Sequence, residues 1–97
     1  MYKIIFPKFY VDDKFAQFET ESKGYLFGVK IQVENTIYEL VFYDSVRLRQ
    51  DSEDINKDCG YFHEPNLIIL TEVTKESIEK AIACIYERNE IEYFLKS

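Results

Sequence analysis

Two neighbouring stretches constrain this chain more than any other feature. Residues 25–33 read YLFGVKIQV, and residues 37–43 read IYELVFY. In the first, Phe27, Val29, Ile31 and Val33 alternate with Gly28, Lys30 and Gln32. A period of two places one face in a core and the other in water. The second alternates as well, but both of its faces carry apolar groups, which predicts a strand central in its sheet. Glu34-Asn35-Thr36 between them reads as a turn, with Asn35 suited to a positive φ. A hairpin is therefore the nucleus around which the rest must be arranged.

Other elements follow from local signals. Tyr2 to Phe6 is a strand candidate, and Pro7 removes a ladder donor at its end. In residues 8–23, Asp12-Asp13 and Glu19-Thr20-Glu21-Ser22-Lys23 read as turns around Phe9, Val11, Phe15 and Phe18, so a short extended piece is expected there. Asp44 has the chemistry of an N-cap, opening a helix from Ser45 to about Lys57 with Val46, Leu48, Ser52, Ile55 and Cys59 near one side and Gly60 at the exit. Tyr61-Phe62 is expected to begin a short strand, Pro65-Asn66 a turn, and residues 67–73 a buried strand. Thr74 caps a last helix in which Ile78, Ala81, Ile82 and Ile85 recur at i, i+3, i+4 and i+7. Asn89 marks its end, and residues 91–95 form a final strand or a packed tail.

This order predicts a single α+β domain over residues 1–97, a mostly antiparallel sheet of about four to six strands with two helices packed on one face. The helix-strand-helix half allows a parallel pair made by a crossover. A chain of 97 residues supports one modest core.

Composition then narrows function. The formal net charge is -6. Residues 1–30 hold five lysines against four acids, whereas residues 31–97 hold seven basic against fourteen acidic residues. Such a surface repels phosphate backbones, so no nucleic-acid partner is expected, and a basic protein partner is favoured. No apolar run is long enough for a membrane span. The opening MYKIIFPKFY lacks the long apolar region and cleavage site of a secretory signal, so a cytoplasmic location is expected. Cys59 and Cys84, with His63 as the one histidine, make neither a disulfide framework nor a zinc pattern, and no metal or cofactor is expected.

Few residues offer chemistry. Arg47 and Arg49 diverge by about 200 degrees on a helix and do not clamp one anion together. Their spacing to Asp44, Asp51 and Glu53 predicts surface ion pairs worth about 0.2–0.5 kcal/mol each. The sharper alternative places Arg47 at the strand-to-helix junction as an anion-binding residue, with Arg49 as its neighbour. Cys59, His63 and Glu64 include a nucleophile and a base. Cys59, however, falls on the predicted core stripe, and no oxyanion donor is identifiable, so no catalytic residue is assigned. The run from Asp51 to Glu64 also fails as a calcium loop, because Asn56 stands where the turn glycine is required.

What remains is an acidic, aromatic surface. Asp51, Glu53, Asp54, Asp58, Tyr61, His63 and Glu64 are the expected partner-binding residues. In profile, though not in any motif, the chain resembles the small acidic immunity and inhibitor proteins with which bacteria neutralise basic toxins. That likeness implies a non-enzymatic binding module, steered to its partner by charge. Two other readings stand beside it. One is a small enzyme or ligand-binding domain with a site near Arg47 and His63. The other is a homodimer or larger homo-oligomer that pairs sheet edges or strand faces.

Overall fold

A computed structural model describes residues 1–53 and 63–96. The expected α+β class holds. Strands β1 (Tyr2–Ile5), β2 (Tyr25–Val33), β3 (Thr36–Asp44) and β4 (Leu67–Leu70) form one open sheet in the order β1-β2-β3-β4. The first three run antiparallel, and β4 lies parallel to β3, with Phe42 opposite Ile68. Helices α1 (Lys8–Val11), α2 (Lys14–Lys23), α3 (Ser45–Glu53) and α4 (Lys75–Glu87) complete the order, followed by a 3-10 turn at Glu90–Tyr93.

The core lies on one face of this sheet. Val29 and Ile31 of β2, Leu40 and Phe42 of β3, and Ile78 and Ile82 of α4 are all essentially inaccessible and belong to one cluster with Tyr10. The α4 stripe thus has the predicted phase. Its cap is also as expected: Thr74 Oγ1 accepts from the Ser77 N–H at 3.1 Å, satisfying one orphan donor of the first turn. Asp44 likewise opens α3, accepting from the Arg47 N–H at 2.8 Å.

Residues 8–23 depart from expectation. They are helical, in α1 and α2, not extended. Asp13, read as a turn residue, is instead a cap whose carboxylate accepts from the Phe15 and Ala16 N–H groups. Gly24 ends α2 with φ +77 and donates its N–H to Thr20 O at 2.9 Å. The Gln17 amide donates to Tyr10 O and Val11 O, which terminates α1. The helical period went unseen because the inward side of α2 carries buried Thr20 with half-buried Ala16 and Gln17, while Phe15 and Phe18 face out.

The hairpin shows a second departure. Leu26 pairs with Phe42 and Val29 with Leu40, so β2 holds one residue more than β3 over this interval. Gly28, at φ +83, makes this bulge possible. The extra residue flips the alternation: Leu26 joins the core, and Phe27, expected beside Val29, emerges on the opposite face at 44% exposure. In the hairpin turn the positive φ falls on Glu34 and not on Asn35.

Smaller corrections follow. The strand expected over residues 67–73 ends at Leu70, with Ile69 exposed because β4 is an edge, and Val73 enters the core beyond it. Val46, placed on the inward stripe of α3, is exposed. Residues 91–95 form the 3-10 turn and a packed tail, and Asn66 holds that tail. Its amide donates to Glu39 O and Leu95 O, and its Oδ1 accepts from the Leu95 N–H at 2.8 Å. The end of the long helix, Ile55, Cys59, Gly60 and the Tyr61-Phe62 strand lie outside the described residues.

Candidate functional site

The register of β3 decides what lies on the second face. With Leu40 and Phe42 in the core, Val41 and Tyr43 point the other way, and both are nonetheless buried. Tyr43 is covered by an aromatic corner. Its ring centroid lies 6.2 Å from that of Tyr25 and 6.2 Å from that of Phe27, and Tyr25 and Phe27 meet edge to face at 5.1 Å. Such ring pairs contribute about 0.5–1.5 kcal/mol beyond the area they bury.

Helix α3 closes this corner with charge. The Arg47 guanidinium carbon sits 4.5 Å from the Tyr25 ring centroid, a cation–π contact. Arg47 Nε lies 3.2 Å from Asp51 Oδ1, but without the alignment of a hydrogen bond, so this pair is ionic and not directional. Asp51 also accepts a hydrogen bond from the Tyr43 hydroxyl. Burial, that hydrogen bond, and the charges of Asp51 and Glu64 together push the Tyr43 pKa up to about 12, with Arg47 opposing. A tyrosine held neutral this far is a hydrogen-bond donor and an apolar wall, not a base.

The shift has a consequence for stability. An unfolded tyrosine ionises near pH 10. Because the folded value is raised, the contribution of neutral Tyr43 is complete below about pH 10 and is lost as the pH climbs toward about 12. A raised value of this size corresponds to at most about 2–3 kcal/mol. Urea midpoints measured from pH 8 to pH 12 should fall steeply above pH 10, and the Tyr43→Phe variant should show a shallower fall. An identical alkaline fall in both proteins is the contrary result.

Arg47 is therefore committed to Tyr25 and Asp51. Arg49 behaves as an ordinary helix surface residue: its side chain is 82% exposed and pairs with Glu53 at 3.5 Å. In both pairs the arginine precedes the acid by one turn, the less favourable orientation on a helix. Among the expected partner-binding residues, Asp51 is half-buried inside this network, Glu53 is exposed and paired with Arg49, His63 is exposed, and Glu64 is half-buried. Asp54, Asp58 and Tyr61 lie outside the described residues.

Surface depressions lie beside this corner. One of about 290 Å³ is lined by Phe9, Thr20, Lys23, Tyr25, Leu26 and Phe27. It joins the exposed ring of Phe9 to the aromatic corner. Another runs along α3 between Val46, Arg49 and Glu53. Among the described residues no group of three or more His, Cys, Asp or Glu side chains is placed to hold a metal ion. Among them, no helix is long and apolar enough to cross a membrane.

Phe27 is the member of this surface that sequence reasoning missed. The signal was present in Gly28, since a glycine inside a strand pattern marks a bulge. No protein-family model, curated protein or solved structure matches this chain.

Proposed function

We propose that this chain is a non-enzymatic protein-binding module of the small acidic immunity or inhibitor type, and that its partner is a basic protein. The reading rests on one observation. The bulge at Gly28 turns Phe27 outward at 44% exposure, beside Tyr25 and across a shallow depression from Phe9, itself 62% exposed. Protein interfaces are commonly built from aromatic anchors in a dehydrated centre with a polar rim. The charge comes from the chain's acidic excess: residues 31–97 hold seven basic against fourteen acidic residues, and Glu53 on α3 is exposed. An excess of carboxylate speeds encounter with a basic surface and disfavours acidic competitors. Asp51 is not counted in that rim, because Arg47 neutralises it.

The test is capture of a partner by the tagged chain across a salt series, run beside its Phe27→Ala and Glu53→Lys variants. The expected result is a stoichiometric basic protein whose retention falls with ionic strength and is lost with Phe27→Ala. Capture indifferent to salt, capture unchanged by both substitutions, or no stoichiometric partner from the native source counts against the reading.

A further inference from the structure

Helix α2 presents its apolar residues to water. Thr20 is buried against the body of the protein, with Ala16 and Gln17 half-buried beside it, and this fixes the inward side. At 3.6 residues per turn, Phe15 and Phe18 then fall together on the outward side, where they are 67% and 65% exposed. Two adjacent phenyl rings facing solvent from one helix form an unpartnered apolar face.

The charges around these rings indicate what covers them. Lys14 and Glu21 are two turns apart on the same flank of α2, and both line one depression with Phe18. When a helix packs antiparallel against a copy of itself across a two-fold axis, each flank meets its own reversed image. Lys14 of one copy then faces Glu21 of the other, and the pair recurs by symmetry. A parallel two-fold would instead set this flank against the opposite one, so Lys14 and Glu21 would not face each other. Helix α2 is itself balanced, Lys14 and Lys23 against Glu19 and Glu21, in a chain whose net charge is -6. Two copies that meet on this helix therefore bring no net charge of one sign into the contact.

We propose that the outward face of α2 pairs with the same face of a second copy of this chain, antiparallel, with Phe15 and Phe18 as the seam and Lys14–Glu21 as reciprocal ion pairs. The seam residues differ from those of the depression beside Phe27, to which α2 contributes Thr20 and Lys23. A helix of ten residues spans about 15 Å, so the contact belongs to the small, weak class of interfaces.

Sedimentation equilibrium of the full chain from about 10 μM to about 1 mM tests this. The mass should rise from 11.6 kDa toward twice that value. Phe18→Asp should weaken association by at least about tenfold, as expected when a charge enters an apolar seam. Lys14→Glu and Glu21→Lys should each weaken it by about fivefold, and the double swap should restore it to within about twofold, since the reversed pair is again complementary. Circular dichroism verifies the fold of each variant, and Phe15→Asp serves the same purpose if Phe18→Asp unfolds. A monomer mass throughout, a dimer indifferent to these aspartates, or a double swap no better than the singles overturns the proposal.

Discussion

Replacing Phe42 with alanine is expected to cost about 3–5 kcal/mol, the usual range for truncating a buried phenylalanine. Phe42 has no exposed surface, and its strand is paired on both sides, with Leu26 across from it on β2 and Ile68 on β4. Neighbours held by two ladders cannot collapse into the space the ring vacates, so both the transfer loss and the cavity are felt. A domain of 97 residues has a total stability on the order of 5–15 kcal/mol, so this one change removes a large share of it. The informative control is Phe27→Ala in the same hairpin. That ring is 44% exposed on the other face and should cost less than half as much. Urea unfolding of the two variants decides the point. If Phe27→Ala were the more damaging, the bulge at Gly28 would be wrongly placed.

Gly24→Ala is expected to cost about 2–3 kcal/mol from two separate sources. At φ +77 the backbone is left-handed, which penalises any residue with a Cβ by about 1–2 kcal/mol. The added methyl would also lie 2.5 Å from Asp44 Oδ2. Asp44 can move away only by giving up its cap on the Arg47 N–H, a further loss of about 1 kcal/mol. Gly24 thus joins the end of α2 to the start of α3, and its carbonyl accepts from the Asp44 N–H at 2.8 Å. A double-mutant cycle separates the two costs. In an Asp44→Ala background the cap has already gone, so Gly24→Ala should cost only the backbone part. Simple additivity would show that the contact between the two residues carries no energy.

The sheet and its last helix were legible because their side chains obey the periods of their backbones. Val29 and Ile31 alternate with polar residues along β2, and Ile78 and Ile82 recur at helical spacing along α4; all four are buried where those periods put them. The two apolar faces of β3 signalled its central place, since Leu40 and Phe42 fill the core while Val41 and Tyr43 are covered from the other side. Helix α2 was not legible, because its inward position is taken by Thr20 and its phenylalanines look outward. A reading that seeks an apolar inner stripe passes over such a helix. The caps at Asp13 and Gly24 were the better guide, since they depend on backbone donors and acceptors and not on burial.

The acidic surface was legible as composition but not as geometry. Asp51 was counted with Glu53 and Glu64 as one patch, yet Arg47 and Tyr43 draw it into an internal network. The amino-acid order by itself determined the class of fold, the hairpin, the capped helix at Thr74 and the sign of the surface, because each of these follows from neighbours a few residues apart. Only the tertiary structure decided that Phe27 faces outward, that the Tyr43 hydroxyl joins the Arg47–Asp51 pair, and that Phe15 and Phe18 lack a cover. Those outcomes depend on one extra residue in β2 and on which side of each element meets the sheet, and both are settled by contacts between segments distant in the chain.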